Sequence, residues 1–234
     1  MTVERTNLGR MTTFVLIPGG GGDAWYWHLV EAELTRRGHD VVNVDLPADD
    51  EKAGLREYAD VVDAAVGERT DPILVALSMG GFTAAMVAAR RPVSAIVFVN
   101  AMIPLPGEKL EDWGEATGQS AAQREQSVRE GRDPDADFDL RAAFFHDVPA
   151  DLTEYALSHD RDQSERAFGD RCEFEAWPSV PIRVLAGRDD HLFPAEFQRR
   201  VAHERLGVEA ELVPGGHLAP LSHPVELADR VERS

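Results

Sequence analysis

Ile73-Leu74-Val75-Ala76-Leu77-Ser78-Met79-Gly80-Gly81 runs a buried-strand pattern into one serine and two glycines, and a helix-forming stretch, Thr83 to Arg90, follows. A strand-to-helix turn that lifts a serine side chain out of a sheet demands strained backbone angles and leaves no room for bulk two residues either side. Ala76 and Gly80 meet that demand. Glycine is usual at both places, so Ala76 departs by a single methyl. An ordinary loop serine capping the next helix would produce the same pentapeptide, so the distinction must come from the rest of the chain.

Around this stretch lie further short apolar runs rich in β-branched residues: Phe14 to Ile17, Val41 to Val44, Ile96 to Val99, Ile182 to Ala186 and Val208 to Val213. Most are continuous rather than alternating, as in strands covered on both faces. Helix-period segments fall between them, at Trp25 to Arg37, Leu55 to Val66, Met79 to Arg90, Ala195 to Arg205 and Val225 to Val231. Pro224 sits where a first helical turn tolerates it. The alternation predicts an α/β fold with a parallel sheet.

The strand rhythm stops between Ile103 and Pro178, where polar helical stretches carry scattered aromatics and prolines mark both ends. Long insertions in compact domains are usually functional, and a lid over a site is the expectation, with core padding as the plainer alternative. The expected division is a core of residues 11–102 and 179–234, a helical cap of 103–178 and an N-terminal extension of 1–10.

At 234 residues and 43% hydrophobic content, the chain suits one elaborated domain. No apolar run is long enough to span a bilayer, and Met1 to Arg10 lacks the apolar centre of a signal peptide, so a cytoplasmic location is expected. Cys172 is the single cysteine, which leaves no internal disulfide and no thiolate cage. The net charge of -18 repels nucleic acid and anionic lipid headgroups. Acidic runs such as Asp133-Pro134-Asp135-Ala136-Asp137 look like solvated loops, and without clustered His or Cys no metal is expected. Neutral or cationic small molecules suit the surface better.

Four glycines, Gly19 to Gly22, follow the first predicted strand, at the end where open parallel sheets bind ligands. With the serine turn nearby, they suggest an oxyanion hole built from the Gly20 and Met79 N–H groups. A phosphate loop is the rival, but no Lys-Ser/Thr completes a Walker motif. Farther on, Val184-Leu185-Ala186-Gly187-Arg188-Asp189-Asp190 runs a strand into adjacent acids, and spacing alone does not choose between them. Gly215-Gly216-His217 follows another strand, which places His217 as a base, whereas His223 beside Pro224 suits a helix start. His28 and His191 are close enough in sequence to the loops to be weaker pocket candidates. Serine, acid, histidine, each on a loop at a strand's carboxyl end, is the chain order of one hydrolase architecture.

At these residues the chain resembles the α/β-hydrolase superfamily. Pro18-Gly19-Gly20-Gly21-Gly22-Asp23-Ala24-Trp25-Tyr26-Trp27 and Phe193-Pro194-Ala195-Glu196-Phe197-Gln198 resemble its plant methylesterase and hydroxynitrile lyase branch, with bacterial relatives. The resemblance implies about eight mostly parallel strands with a helical cap. It also implies Asp190 as the triad acid, because the family's Gly-x-x-Asp-x-x-x-Pro falls on Gly187, Asp190 and Pro194. Two departures stand out: Pro18 replaces a histidine common before the oxyanion glycine, and Leu218 replaces the lysine that handles cyanide in the cyanohydrin-cleaving relatives. The expectation is therefore a serine esterase for a small, largely apolar ester, with Ser78, His217 and Asp190 catalytic and no cofactor. Gly19, Trp25 and Leu218 are expected against the substrate. Lyase or carbon-carbon hydrolase chemistry is the alternative on the same fold, and a non-catalytic ligand-binding protein a more distant one.

Overall fold

The computed structural model describes residues 11–233, so the expected N-terminal extension lies outside the described residues. Each apolar run yields a strand: β1 (Thr13–Ile17), β2 (Asp40–Asn43), β3 (Ile73–Leu77), β4 (Ala95–Val99), β5 (Ile182–Gly187) and β6 (Glu211–Val213). They form one sheet in the order β2-β1-β3-β4-β5-β6, with every neighbouring pair parallel. The α/β fold is as expected, but the strand count is six among the described residues rather than about eight. The residues themselves contain six strand-like runs, and the larger number came from the resemblance alone.

Every residue of β3 and β4 is buried, which is why these runs are unbroken apolar sequence. Alternate side chains feed two separate cores. Val15, Leu74 and Phe98 join α2 (Leu55–Val66) and α3 (Gly80–Arg90) on one face, while Phe14, Val75 and Val97 join α1 (His28–Arg36) on the other. The segment expected as one helix from Trp25 splits in two. Asp23 accepts a 2.7 Å hydrogen bond from the Trp25 N–H and caps a short 3-10 turn, Ala24–Trp27, ahead of α1.

Between β4 and β5 the chain leaves the sheet for α4 (Leu110–Thr117), α5 (Gln119–Arg129), α6 (Leu140–Phe144), α7 (Ala150–Ser158) and α8 (Arg166–Gly169). A bridge between Lys109 and Arg171 brings the two ends of this excursion together. It returns through β5 to α9 (Ala195–Leu206), β6, α10 (Ala219–Ser222) and α11 (Pro224–Val231). α9 covers β5 on the sheet face that carries α2 and α3, and α11 packs against α1 on the other. β6 is shorter than its apolar run because Gly207, at φ 67°, ends α9 and pairing with β5 begins only at Glu211. Among the described residues no helix is long and apolar enough to cross a membrane.

The topology positions the site. β1 is followed by β2 on one side, and the chain then crosses back to lay β3 on the other. Connections therefore diverge above the carboxyl ends of β1 and β3 and leave a crevice there. Those ends carry the Gly19 to Gly22 loop and Ser78.

Candidate active site

Ser78 has φ 51°, a left-handed conformation that a side-chain-bearing residue holds only at a cost of about 1–3 kcal/mol. Its peptide groups offset that strain: the N–H donates to Val99 O at 3.3 Å, and the carbonyl accepts from Gly81 N at 3.2 Å and Met102 N at 2.9 Å. Small neighbours are obligatory. A Cβ on Gly80 would fall 2.4 Å from Pro18 O, and one on Gly81 would fall 1.9 Å from Met102 O.

The serine, acid and histidine loops converge. His217 Nε2 lies 3.0 Å from Ser78 Oγ, and its Nδ1 lies 2.9 Å from Asp190 Oδ2. His217 and Asp190 are both fully buried, whereas Asp189 is exposed. The other Asp190 oxygen accepts from Leu192 N at 2.8 Å and Phe193 N at 2.9 Å, so the loop's own backbone holds the carboxylate. Phe144 and Phe193 stand edge-on to the imidazole, each ring 5.0 Å away, and fix its plane.

The two loops are joined through Asn100, a buried residue at φ 46° just beyond β4. Its amide donates to Gly216 O at 2.9 Å and His217 O at 3.0 Å, and its carbonyl accepts from Gly187 N at 2.6 Å and Gln198 at 3.2 Å. Gln198 also donates to Asp190 at 3.3 Å. Sequence reasoning missed Asn100. A lone asparagine after an apolar run carries the signal of a turn residue and nothing more.

Ser78, His217, Gly19, Gly20, Met79 and Leu218 all line one cavity of about 650 Å³, within the usual range for small-molecule sites. Neither the Gly20 nor the Met79 N–H has a hydrogen-bond partner among the described residues. The neighbouring Gly21 N–H donates to Gln163 Oε1 at 3.1 Å, and Gln163 donates in turn to the Tyr58 hydroxyl at 2.9 Å. The excursion thus grips the glycine loop. Pro18 precedes this loop, and Gln163 of the excursion bonds it at Gly21.

Trp25, expected against the substrate, does not line the cavity. Its ring stacks on His28 and Tyr155, because the 3-10 turn rotates it outward and presents Tyr26 instead. Burial, with Asp160 and Asp23 nearby, pushes the Tyr26 phenol up to about 12, so it is a neutral hydroxyl in the wall. Trp27 is core, donating from its indole to Ile17 O at 3.1 Å. His28 and His191 are likewise outside the cavity, and the ring of His223 bonds Ser222 Oγ at 3.0 Å at the start of α11. Cys172 is buried against Phe82 O, and burial pushes its thiol far up. Among the described residues no group of three His, Cys, Asp or Glu side chains is placed to hold a metal ion.

The model of the alpha/beta hydrolase family matches residues 14–230. Polyneuridine aldehyde esterase of Rauvolfia serpentina is 26% identical over 250 residues, 94% of each chain. Methylesterase 7 of Arabidopsis thaliana is 38% identical over 104 residues, a match spanning 39% of this chain and 40% of that protein. The crystal structure of polyneuridine aldehyde esterase aligns with a TM-score of 0.78 at 21% identity, covering 96% of this chain and 99% of that one. The family match runs from β1 through α11 and takes in the whole sheet and all three converging loops, so this chain belongs to the alpha/beta hydrolase family, among relatives named as esterases.

Proposed function

We propose that the protein is a serine carboxylesterase acting on a small, largely apolar ester. The observation that carries this is the continuous relay from Asp190 through His217 to Ser78 at 2.9 and 3.0 Å, opening into a cavity beside two unengaged backbone N–H groups. With Nδ1–H donating to Asp190, the imidazole leaves Nε2 free to accept the serine proton. Ser78 Oγ attacks the acyl carbon as its proton passes to Nε2, and Asp190 stabilises the imidazolium. The Gly20 and Met79 N–H groups receive the developing oxyanion. Nε2–H then protonates the departing alkoxide, and water repeats the cycle on the acyl-enzyme. These steps use only the chain's own groups and water.

The helical excursion of residues 103–178 acts as the cap. Trp113, Phe144, Phe145, Leu157 and Phe168 from it line the cavity, which favours an apolar substrate. Leu218 also faces the cavity, where it supplies no positive charge for a cyanide leaving group, so ester hydrolysis is favoured over cyanohydrin cleavage.

Ser78→Ala is expected to lower turnover of an activated short-chain ester by about 10⁴-fold or more, since the triad acts as a unit. The wild-type chain should also label with a fluorophosphonate probe and the variant should not. Unlabelled wild-type protein, or undiminished turnover in the variant, defeats the esterase reading.

A further inference from the structure

Asp147 is in the excursion, between α6 and α7, yet its side chain reaches the histidine loop. Asp147 Oδ2 accepts a 2.7 Å hydrogen bond from the Gly216 N–H, one residue before His217. The carbonyl of the same Gly216 accepts from Asn100 at 2.9 Å on the sheet side. One residue of the loop is therefore held from two directions, by the core through its oxygen and by the excursion through its nitrogen. Gly216 leaves room for this approach, and Gly215, at φ 97°, turns the chain into it. A Cβ on Gly216 would fall 2.9 Å from Asp147 Oδ1 and 2.6 Å from His146 Nε2, and one on Gly215 would fall 2.7 Å from His223 Nδ1.

The rest of this segment acts on the same residue. Phe144, three positions earlier, stands edge-on to the His217 ring at 5.0 Å. The side chain of Asp147 is only 17% exposed, and its second oxygen is buried without a hydrogen-bond partner. Such a group is costly for folding stability by itself. Its hydrogen bond is the one from the Gly216 N–H, and His223 Nδ1 lies 3.9 Å from the same oxygen.

We propose that Asp147 is a positioning residue for His217, through which residues 144–147 of the excursion set the imidazole against Ser78. The proposal rests on the esterase reading of the Ser78 site, and on this view the excursion tunes the base as well as roofing the cavity. Losing the acceptor frees the Gly216 peptide on one side, and displacements of about 1 Å at a reacting group cost on the order of 10²-fold in rate.

The test compares Asp147→Ala, Asp147→Ser and Asp147→Asn in the full chain. Its readouts are kcat and KM with p-nitrophenyl acetate and the ¹H–¹⁵N correlation spectrum of the His217 imidazole. Asn keeps an oxygen at the right reach, so kcat is expected within about threefold of wild type. Ala removes the acceptor and Ser, one carbon shorter, withdraws it from reach of the Gly216 N–H, so kcat is expected to fall about tenfold to a hundredfold with KM little changed. The His217 ring signals should broaden in those two variants and stay sharp in the Asn variant. Wild-type kcat in both the Ser and Ala variants overturns the proposal, as does an Asn variant as damaged as Ala, or a change confined to KM. Should the Ala variant fail to fold, the contrast between Ser and Asn decides. A wild-type chain without ester turnover removes the esterase reading, and the ring spectra then decide this one separately.

Discussion

Asn100 shows how one side chain governs a site it does not enter. It supplies two donors to the histidine loop and an acceptor to the acid loop, at no exposure to water. Replacing it with alanine leaves the Gly187 N–H and two carbonyls without partners, and each buried polar group stranded in this way costs about 1–3 kcal/mol. Asn100→Ala is expected to lose about 2–4 kcal/mol of stability in urea unfolding and to lower turnover as well. A variant as stable as wild type would show that water or a shifted loop takes over these bonds. Ser78 offers the complementary case, where strain at φ 51° is held by three hydrogen bonds from its own peptide groups.

Among the elements, β5, β6 and α11 are stitched at their edge by Glu211. Arg183 of β5 donates to it at 2.7 Å, and Arg230 of α11 forms a second, close ion pair. Burial raises the Glu211 carboxyl, but the hydrogen bonds from Arg183 and Arg230 outweigh it, and the net shift is below the ordinary value of 4.5. A depressed folded pKa stabilises the fold above the unfolded carboxyl's value, and that stabilisation is lost as pH falls through the folded one. Glu211→Gln is therefore expected to be less stable than wild type at pH 7, with the gap closing at acid pH, below the ordinary carboxyl range. Urea unfolding at the two pH values reads this directly, and a gap independent of pH would remove the ionic explanation.

For the whole molecule, the sheet and the helical excursion meet across the cavity. Arg161 donates to Asp45 at 3.1 Å and Leu46 O at 3.1 Å, Ser164 N donates to Ala48 O at 2.7 Å, and Gln163 holds the Gly21 N–H. The glycine loop therefore takes part of its shape from residues more than 100 positions away in sequence. Gln163→Ala is expected to lower kcat/KM about tenfold, because the loop carrying the Gly20 donor loses its distal anchor. The melting temperature should change by only a few degrees, since Arg161 and Ser164 still tie the segment down. An unaltered kcat/KM would mean the loop holds its form unaided.

Strands, helices and the serine turn were legible along the chain because each depends on a local property. Continuous apolar runs mark strands covered on both faces, the 3.6 period marks the flanking helices, and two glycines leave room for a serine at positive φ. The local pattern left Asp189 and Asp190 open. The resemblance pointed to Asp190, and the fold sets Asp190 against His217 while Asp189 faces solvent. Tertiary structure alone turned Tyr26 rather than Trp25 into the cavity and set Asn100 and Asp147 around the histidine loop. Ser78 and His217 are 139 residues apart, and what joins them is strand order, which brings the carboxyl ends of β3, β5 and β6 to one edge of the sheet, with β4 between β3 and β5. Periodicity records whether a residue is buried. Which distant residue it is buried against depends on how the strands are ordered and where the excursion folds back, and no local pattern encodes either.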